Sequence, residues 1–202
     1  MFVDTKESVR KMIWNEMIKQ GISRSDAYGR IPDFNGSKRA ADMLRNTCEW
    51  KKSVIIFVSP DTAQIKVREN CLIDGKTLIM ASPKLLNGYI IIKPKYVEEH
   101  VKEASTIKGA FKYGTELKSF PVVDMVVEGS VAVDISGGRL GKGGGYGDIE
   151  ISHLLDIGSI KFNTPVVSTV HDIQIIEDVP NESHDQKINM IVTPQNVIRI
   201  NP

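Results

Sequence analysis

The segment Val133-Asp134-Ile135-Ser136-Gly137-Gly138-Arg139-Leu140-Gly141-Lys142-Gly143-Gly144-Gly145-Tyr146-Gly147-Asp148 holds the densest concentration of chemistry-capable residues in the chain. Six of the nine residues from Gly137 to Gly145 are glycine. Such a run frees the backbone for positive φ and lets successive N–H groups converge on an anion. Arg139 and Lys142 add permanent positive charge, and a helix opening after the turn would aim its first amides the same way. The chemistry expected is phosphate binding. Asp148 is either a carboxylate favoured by the helix dipole or, beside a phosphate, a Mg²⁺ ligand. Tyr146 either hydrogen-bonds to phosphate or substrate or packs on the glycines. A Walker A loop is excluded because Gly143 follows Lys142 where Ser or Thr is required, and Tyr146 stands where a GxGxxG turn needs its last glycine. A mobile surface loop is the competing explanation. Charged and aromatic residues at set places, and the lack of Ser-rich or acidic filler, count against it.

A turn of this kind needs a strand before it and a helix behind it. Short apolar runs rich in β-branched residues predict strands at Val54–Val58, Thr77–Met80, Tyr89–Ile92, Met125–Val127, Val131–Val133, Val166–Val170 and Met190–Val192. Helices are expected over residues 4 to 20, from Ser37 with Ala40, Ala41, Met43 and Leu44 inward, and at Thr62–Leu72, Val97–Ser105 and Gly147–Leu155. The order is largely β-α-β with antiparallel pairs mixed in, so the fold class is α/β with a sheet covered on both faces. Glu128, Gly129 and Ser130 interrupt Val126–Val133, predicting a hairpin or a bend. In the first helix Asp4 and Thr5 can cap, Val9, Met12, Ile13 and Met17 recur at helical spacing, and Gly21 stops it. Lys6 and Arg10 lie one turn apart there. Their mutual repulsion disfavours the pair by roughly 0.2–0.5 kcal/mol, and either solvent or a bound phosphate would relieve it.

With 202 residues, 41% of them hydrophobic, the chain can bury one sizeable core, and residues 1–202 are expected to form a single domain. A balance of 26 basic against 25 acidic residues gives no global field for nucleic acid or an anionic membrane. A local patch from Lys51, Lys52, Lys84, Lys93 and Lys95 is the one alternative, against a solvated lysine-rich edge. Cys48 and Cys71 make no CxxC pair, and His100, His153, His171 and His184 are too scattered for zinc. No apolar stretch approaches the roughly 20 residues of a membrane span, and the charged N-terminus is unlike a signal peptide. A cytoplasmic location is expected.

Arg139-Leu140-Gly141-Lys142-Gly143-Gly144-Gly145-Tyr146-Gly147-Asp148-Ile149 resembles the Arg-Leu-Gly-x-Gly-x-Gly-Tyr-Tyr-Asp-Arg signature of the 5-formyltetrahydrofolate cyclo-ligase family. Asp124 to Asp134 resembles the strand segment before that signature, and Lys6-Glu7-Ser8-Val9-Arg10 its opening helix. Val179-Pro180, His184-Asp185 and Ile191-Val192-Thr193 are similar to its closing pattern. The sequence departs at Gly147, where the family has a second Tyr, and at Ile149, where it has Arg. With Ser59-Pro60-Asp61, Gln64, Arg68 and Ser82-Pro83-Lys84-Leu85, these departures look like the methenyltetrahydrofolate synthetase domain-containing branch. That branch carries an added RNA-recognition domain in animals, and none is expected within these 202 residues.

The resemblance implies a three-layer α/β/α sandwich with a mostly parallel, mixed central sheet. It also implies ATP- and Mg²⁺-dependent cyclisation of 5-formyltetrahydrofolate, or a related reduced pterin, to 5,10-methenyltetrahydrofolate with release of ADP and phosphate. Lys6, Arg10, Arg139, Gly141, Lys142, Gly143, Gly144, Gly145, Tyr146 and Asp148 would then bind ATP, Arg139 and Tyr146 would act in catalysis, and Asp148 would hold Mg²⁺. Asp61, Gln64 and Arg68 would read a pterin or glutamate tail, or are polar residues of a surface helix. The alternative is a nucleotide-binding or RNA-associated module that keeps the phosphate turn without the chemistry.

Overall fold

A computed structural model of the chain describes residues 5–23 and 26–200. In chain order the elements are α1 (Lys6–Lys19), α2 (Ser37–Arg45), α3 (Cys48–Lys52), β1 (Ile55–Val58), α4 (Ile65–Ile73), β2 (Thr77–Ala81), β3 (Tyr89–Ile92), α5 (Val101–Ala104), α6 (Ile107–Tyr113), β4 (Thr115–Glu116), β5 (Met125–Glu128), β6 (Ala132–Val133), β7 (Arg139–Leu140), α7 (Tyr146–Asp156), β8 (Val166–Thr169), β9 (Met190–Val192) and β10 (Val197–Arg199). Thr5 caps α1 by accepting the Ser8 N–H at 3.1 Å. The expected cap Asp4 lies outside the described residues.

Among the described residues eight strands form one sheet in the order β10-β9-β8-β5-β1-β2-β3-β4. The inner strands β9, β8, β5, β1 and β2 run parallel, and antiparallel partners close both edges. Successive side chains of a strand face opposite sides, and here both sides are apolar. Ile56, Val58, Leu78, Met80, Met125 and Val127 pack with Leu44, Trp50, Val67, Cys71, Ala104 and Ala110 of α2 to α6. Phe57, Ile79, Val126 and Ile191 face the other way, onto Ile151 and Leu154 of α7. The result is the three-layer α/β/α arrangement.

Strand order reverses between β1 and β5: β1 continues through α4 to β2 on one side, while β5 leads towards β8 and β9 on the other. A parallel sheet opens a crevice beyond its strand carboxyl ends at such a switch point, because the two connections leave in opposite directions. The interrupted segment after Val126 makes a bend and no hairpin. β5 ends at Glu128, and β6 leaves the sheet to pair antiparallel with β7, Ala132 opposite Leu140 and Val133 opposite Arg139. Val9, Ile13 and Met17 of α1 cover this ribbon through Val131, Ala132 and Leu140.

The glycine-rich segment is therefore two turns. Gly137 and Gly138 belong to the β6–β7 connection, where Asp134 Oδ1 accepts the Ser136 and Gly138 N–H groups at 2.8 and 3.0 Å. Gly141 to Gly145 form a separate loop between β7 and α7. The helix expected at Val97–Ser105 shortens to Val101–Ala104.

If both faces of β1 are core, Ile56→Ala and Phe57→Ala should each destabilise the protein, by about 2–5 and about 3–5 kcal/mol. Urea denaturation of the two variants measures this, and a near-neutral result on either side would mean that face is not a packed layer.

Candidate functional site

A cavity of about 320 Å³ occupies the switch-point crevice, within the range of small-ligand pockets. Ser59, Pro60 and Asp61 follow β1, Pro83 and Lys84 follow β2, and Glu128 and Gly129 close β5. Arg139, Gly141, Lys142, Gly144, Gly145, Tyr146, Gly147, Asp148 and Glu150 line the cavity from β7, the second glycine turn and α7, and Arg30, Ile31, Asp33, Thr62 and Ile107 complete the wall. Strand ends, the phosphate turn and a helix N-terminus thus meet in one place.

The turn is open to solvent from Lys142 to Gly145. Gly143 (φ 112°) and Gly145 (φ 66°) occupy backbone conformations that a β-branched residue resists. Gly144 has a different reason: the Tyr146 ring covers it, and a Cβ there would meet ring carbon Cε2 at 2.7 Å. Arg10 of α1 reaches the turn, its Nε donating to the Gly141 carbonyl at 2.8 Å. Its guanidinium carbon lies 3.8 Å from where a Gly143 Cβ would stand.

Arg139 sits deeper than a surface phosphate clamp. Its side chain is 2% exposed and its Nη2 donates to Asp148 Oδ1, which also accepts the Gln186 backbone N–H at 3.0 Å. The guanidinium lies against Gly147, where a Cβ would meet Nη1 at 3.0 Å. Lys142 pairs with Asp61 at 2.7 Å. Lys6 is not part of the cavity lining and pairs with Asp185 and Glu182 at 2.6 and 3.2 Å. Burial works to lower the Lys6 pKa, but these two carboxylates hold it above the usual value.

Gln64 and Arg68 depart from the expected surface helix and from a ligand pocket alike. Gln64 is fully buried and donates to Thr169 Oγ1 at 2.9 Å. Arg68, 1% exposed, donates from Nε to the Ser105 carbonyl at 2.7 Å and from Nη1 to the carbonyls of Ser59 and Asp61. Burial pulls its pKa down to about 10. Its task is to pin the segment after β1, which carries Asp61 into the cavity. Of the three residues, only Asp61 lines the site.

Two cavity residues escaped the sequence reading. Glu128 and Glu150, 2% and 3% exposed, both line the cavity. Burial, with Glu150 beside it, pushes Glu128 well above the carboxylate range. Burial likewise raises Glu150, to about 7, although the Glu128 hydrogen bond opposes it. Two like charges so close cannot both ionise, so they share a proton. Glu150 stands one helical turn after Tyr146, a spacing that places both on one face of α7. That was the signal available in the sequence. At the rim, Lys84 and Leu85 hold left-handed φ of 57° and 55°, strained values for such side chains and common beside functional sites.

A profile of the 5-formyltetrahydrofolate cyclo-ligase family matches residues 4–194. The chain belongs to this family. It is 36% identical over 204 residues to the methenyltetrahydrofolate synthase domain-containing protein of Bos taurus, covering 96% of this chain and 53% of that protein. The chain thus spans about half the length of such curated relatives. In fold it matches the 5,10-methenyltetrahydrofolate synthetase of Aquifex aeolicus, with TM-score 0.62, 20% identity and coverage of 98% and 93% of the two chains. The synthetase of Mycoplasma pneumoniae gives TM-score 0.56, 14% identity and coverage of 94% and 98%. The two departures from the cyclo-ligase signature have separate structural settings. Gly147 leaves room for the Arg139 guanidinium, and Ile149 is 51% exposed on the outer side of α7. Among the described residues no helix is long and apolar enough to cross a membrane.

A carboxyl whose folded pKa is raised contributes stability below its ordinary value, near 4.5, and loses it as pH climbs through the folded value. The melting temperature should therefore fall between about pH 5 and about pH 7.5, and Glu150→Gln should flatten that slope. Differential scanning calorimetry across this window tests it. An unchanged slope in the variant would place the ionisation elsewhere.

Proposed function

We propose that the chain is an ATP-dependent 5-formyltetrahydrofolate cyclo-ligase whose phosphate site is the Gly141–Gly145 turn and whose folate site is the switch-point cavity. Family membership supports the reaction class. The observation that carries the placement is the turn itself: glycine amides freed by positive φ at Gly143 and Gly145, with Arg10 and Lys142 beside them and the N-terminus of α7 behind. These donors suit a polyphosphate.

The formyl oxygen of the substrate is a poor leaving group. Transfer of the γ-phosphoryl group to it makes a phosphate ester, and the second folate nitrogen then displaces phosphate as the ring closes. Such a transfer asks for alignment and charge stabilisation from the protein. Lys142 and Arg10 would neutralise the transferring oxygens, and Tyr146 would hold the ligand edge over Gly144. Arg139 acts from below by fixing Asp148 and the first turn of α7.

Among the described residues no group of three or more His, Cys, Asp or Glu is placed to hold a metal ion. Mg²⁺ bound with nucleotide usually keeps several waters and takes one or two carboxylates. Asp148 fits that habit, since among the described residues both of its hydrogen bonds fall on Oδ1 and none on Oδ2. When bound, Mg²⁺ would supply charge neutralisation on the phosphates.

Purified protein with ATP, Mg²⁺ and 5-formyltetrahydrofolate should develop methenyltetrahydrofolate absorbance, and none without ATP. ATP binding without folate-dependent turnover would instead favour the nucleotide-binding module. Arg10→Ala and Lys142→Ala should each raise the KM for ATP roughly tenfold or more, the scale of one hydrogen bond to a charged group. Unchanged values in both variants would remove the turn from the phosphate site.

A further inference from the structure

Glu128 and Glu150 line the cavity without a salt bridge among the described residues, although both are more than nine-tenths buried. Their cationic neighbours Arg139 and Lys142 are held by Asp148 and Asp61. The hydrogen bonding is incomplete at the same place. Among the described residues five buried side-chain polar atoms lack a partner, and Ser59 Oγ, Glu128 Oε1 and Arg139 Nε, three of them, belong to the cavity lining. A buried polar atom left unpaired costs about 1–3 kcal/mol, so three at one cavity call for a ligand that satisfies them.

Burial also divides the cavity. The glycine turn at one end is exposed, whereas Ser59, at 1%, and Glu128, at 2%, lie deep in the sheet crevice. Arg10 and the glycine amides draw phosphates to the turn, whereas the deep end offers carboxyl oxygens. What carboxyl oxygens accept is N–H. A flat ring that presents adjacent N–H groups along one edge meets a carboxyl side-on, as a guanidinium does.

We propose that Glu128, seconded by Glu150, determines specificity by accepting hydrogen bonds from a ligand edge with adjacent N–H donors, the 2-amino-4-oxopyrimidine edge. A reduced pterin and a guanine base share that edge, whereas adenine lacks it. The assignment rests on the cyclo-ligase reading for its choice of the pterin, and the two can fail separately. Ser59, with its free hydroxyl after β1, completes the polar wall.

The test is isothermal titration of the intact chain with 5-formyltetrahydrofolate, its 2-desamino analogue, GTP and ATP. Wild-type protein should bind the 2-amino folate roughly three- to tenfold more tightly than the desamino analogue, the scale of a hydrogen bond to a carboxyl that shares its proton. Glu128→Gln, a near-isosteric change, should abolish that preference and weaken the folate by a similar factor relative to ATP. Glu150→Gln is the second variant should the first not fold, and the ligand pair on wild-type protein needs no variant. Tighter binding of GTP than ATP, lost in Glu128→Gln, would uphold the acceptor pair with guanine as its source while removing the pterin. Equal binding of the 2-amino and desamino ligands by wild-type protein, with no preference for GTP, would overturn the inference even if cyclo-ligase activity is present.

Discussion

The buried pairing of Arg139 with Asp148 is the constraint on which the site depends. A guanidinium with 2% exposure has lost its hydration, and the effective cost is several kcal/mol unless partners are well placed. Meeting that demand shapes the neighbourhood. β7 must present Arg139 inward, α7 must begin where Asp148 can face it, and glycine at 147 lets the guanidinium lie close against the helix. The Gln186 N–H on Asp148 and the Asp185 carboxylate on Lys6 tie the later chain and α1 to the same point. The turn from Gly141 to Gly145 spans two anchored ends, and Arg10 grips its first carbonyl.

The cavity has two unlike ends. Glycine amides and Lys142 stand at the open end, with Arg10 on the Gly141 carbonyl, and Glu128 and Glu150 lie buried beside Arg139 and the strand termini. Raised pKa values at Glu128 and Glu150 follow from the same burial. Such shifts cluster where a fold holds polar groups for function and not for its own stability.

Much of the scaffold was legible because parallel strands buried on both faces read as unbroken β-branched runs. Tyr89–Ile92 and Met190–Val192 are strands over the very residues expected. β7 was hidden, since two residues, Arg139 and Leu140, are set in a strand only by their pairing with Ala132 and Val133. The glycine turn was visible through composition, but the depth of Arg139 was not, because exposure is a property of the packed ribbon. Arg68 and Gln64 were misread for a related reason: their partners are carbonyls and a hydroxyl from distant loops, which no local pattern encodes. Glu128 looked like a break in a strand. Only the switch point between β1 and β5 turns that break into a cavity wall.

A double-mutant cycle on Arg139→Met and Asp148→Leu, followed by urea denaturation, tests the central constraint most directly. Asp148→Leu leaves the buried Arg139 charge unpaired and should lose about 3–5 kcal/mol, Arg139→Met leaves a half-buried carboxylate that keeps the Gln186 N–H and should lose less, and the double variant, with neither charge of the pair to desolvate, should regain a large part of the loss. Strictly additive losses would mean the two residues act independently, and the pair would not be what holds the phosphate turn in place.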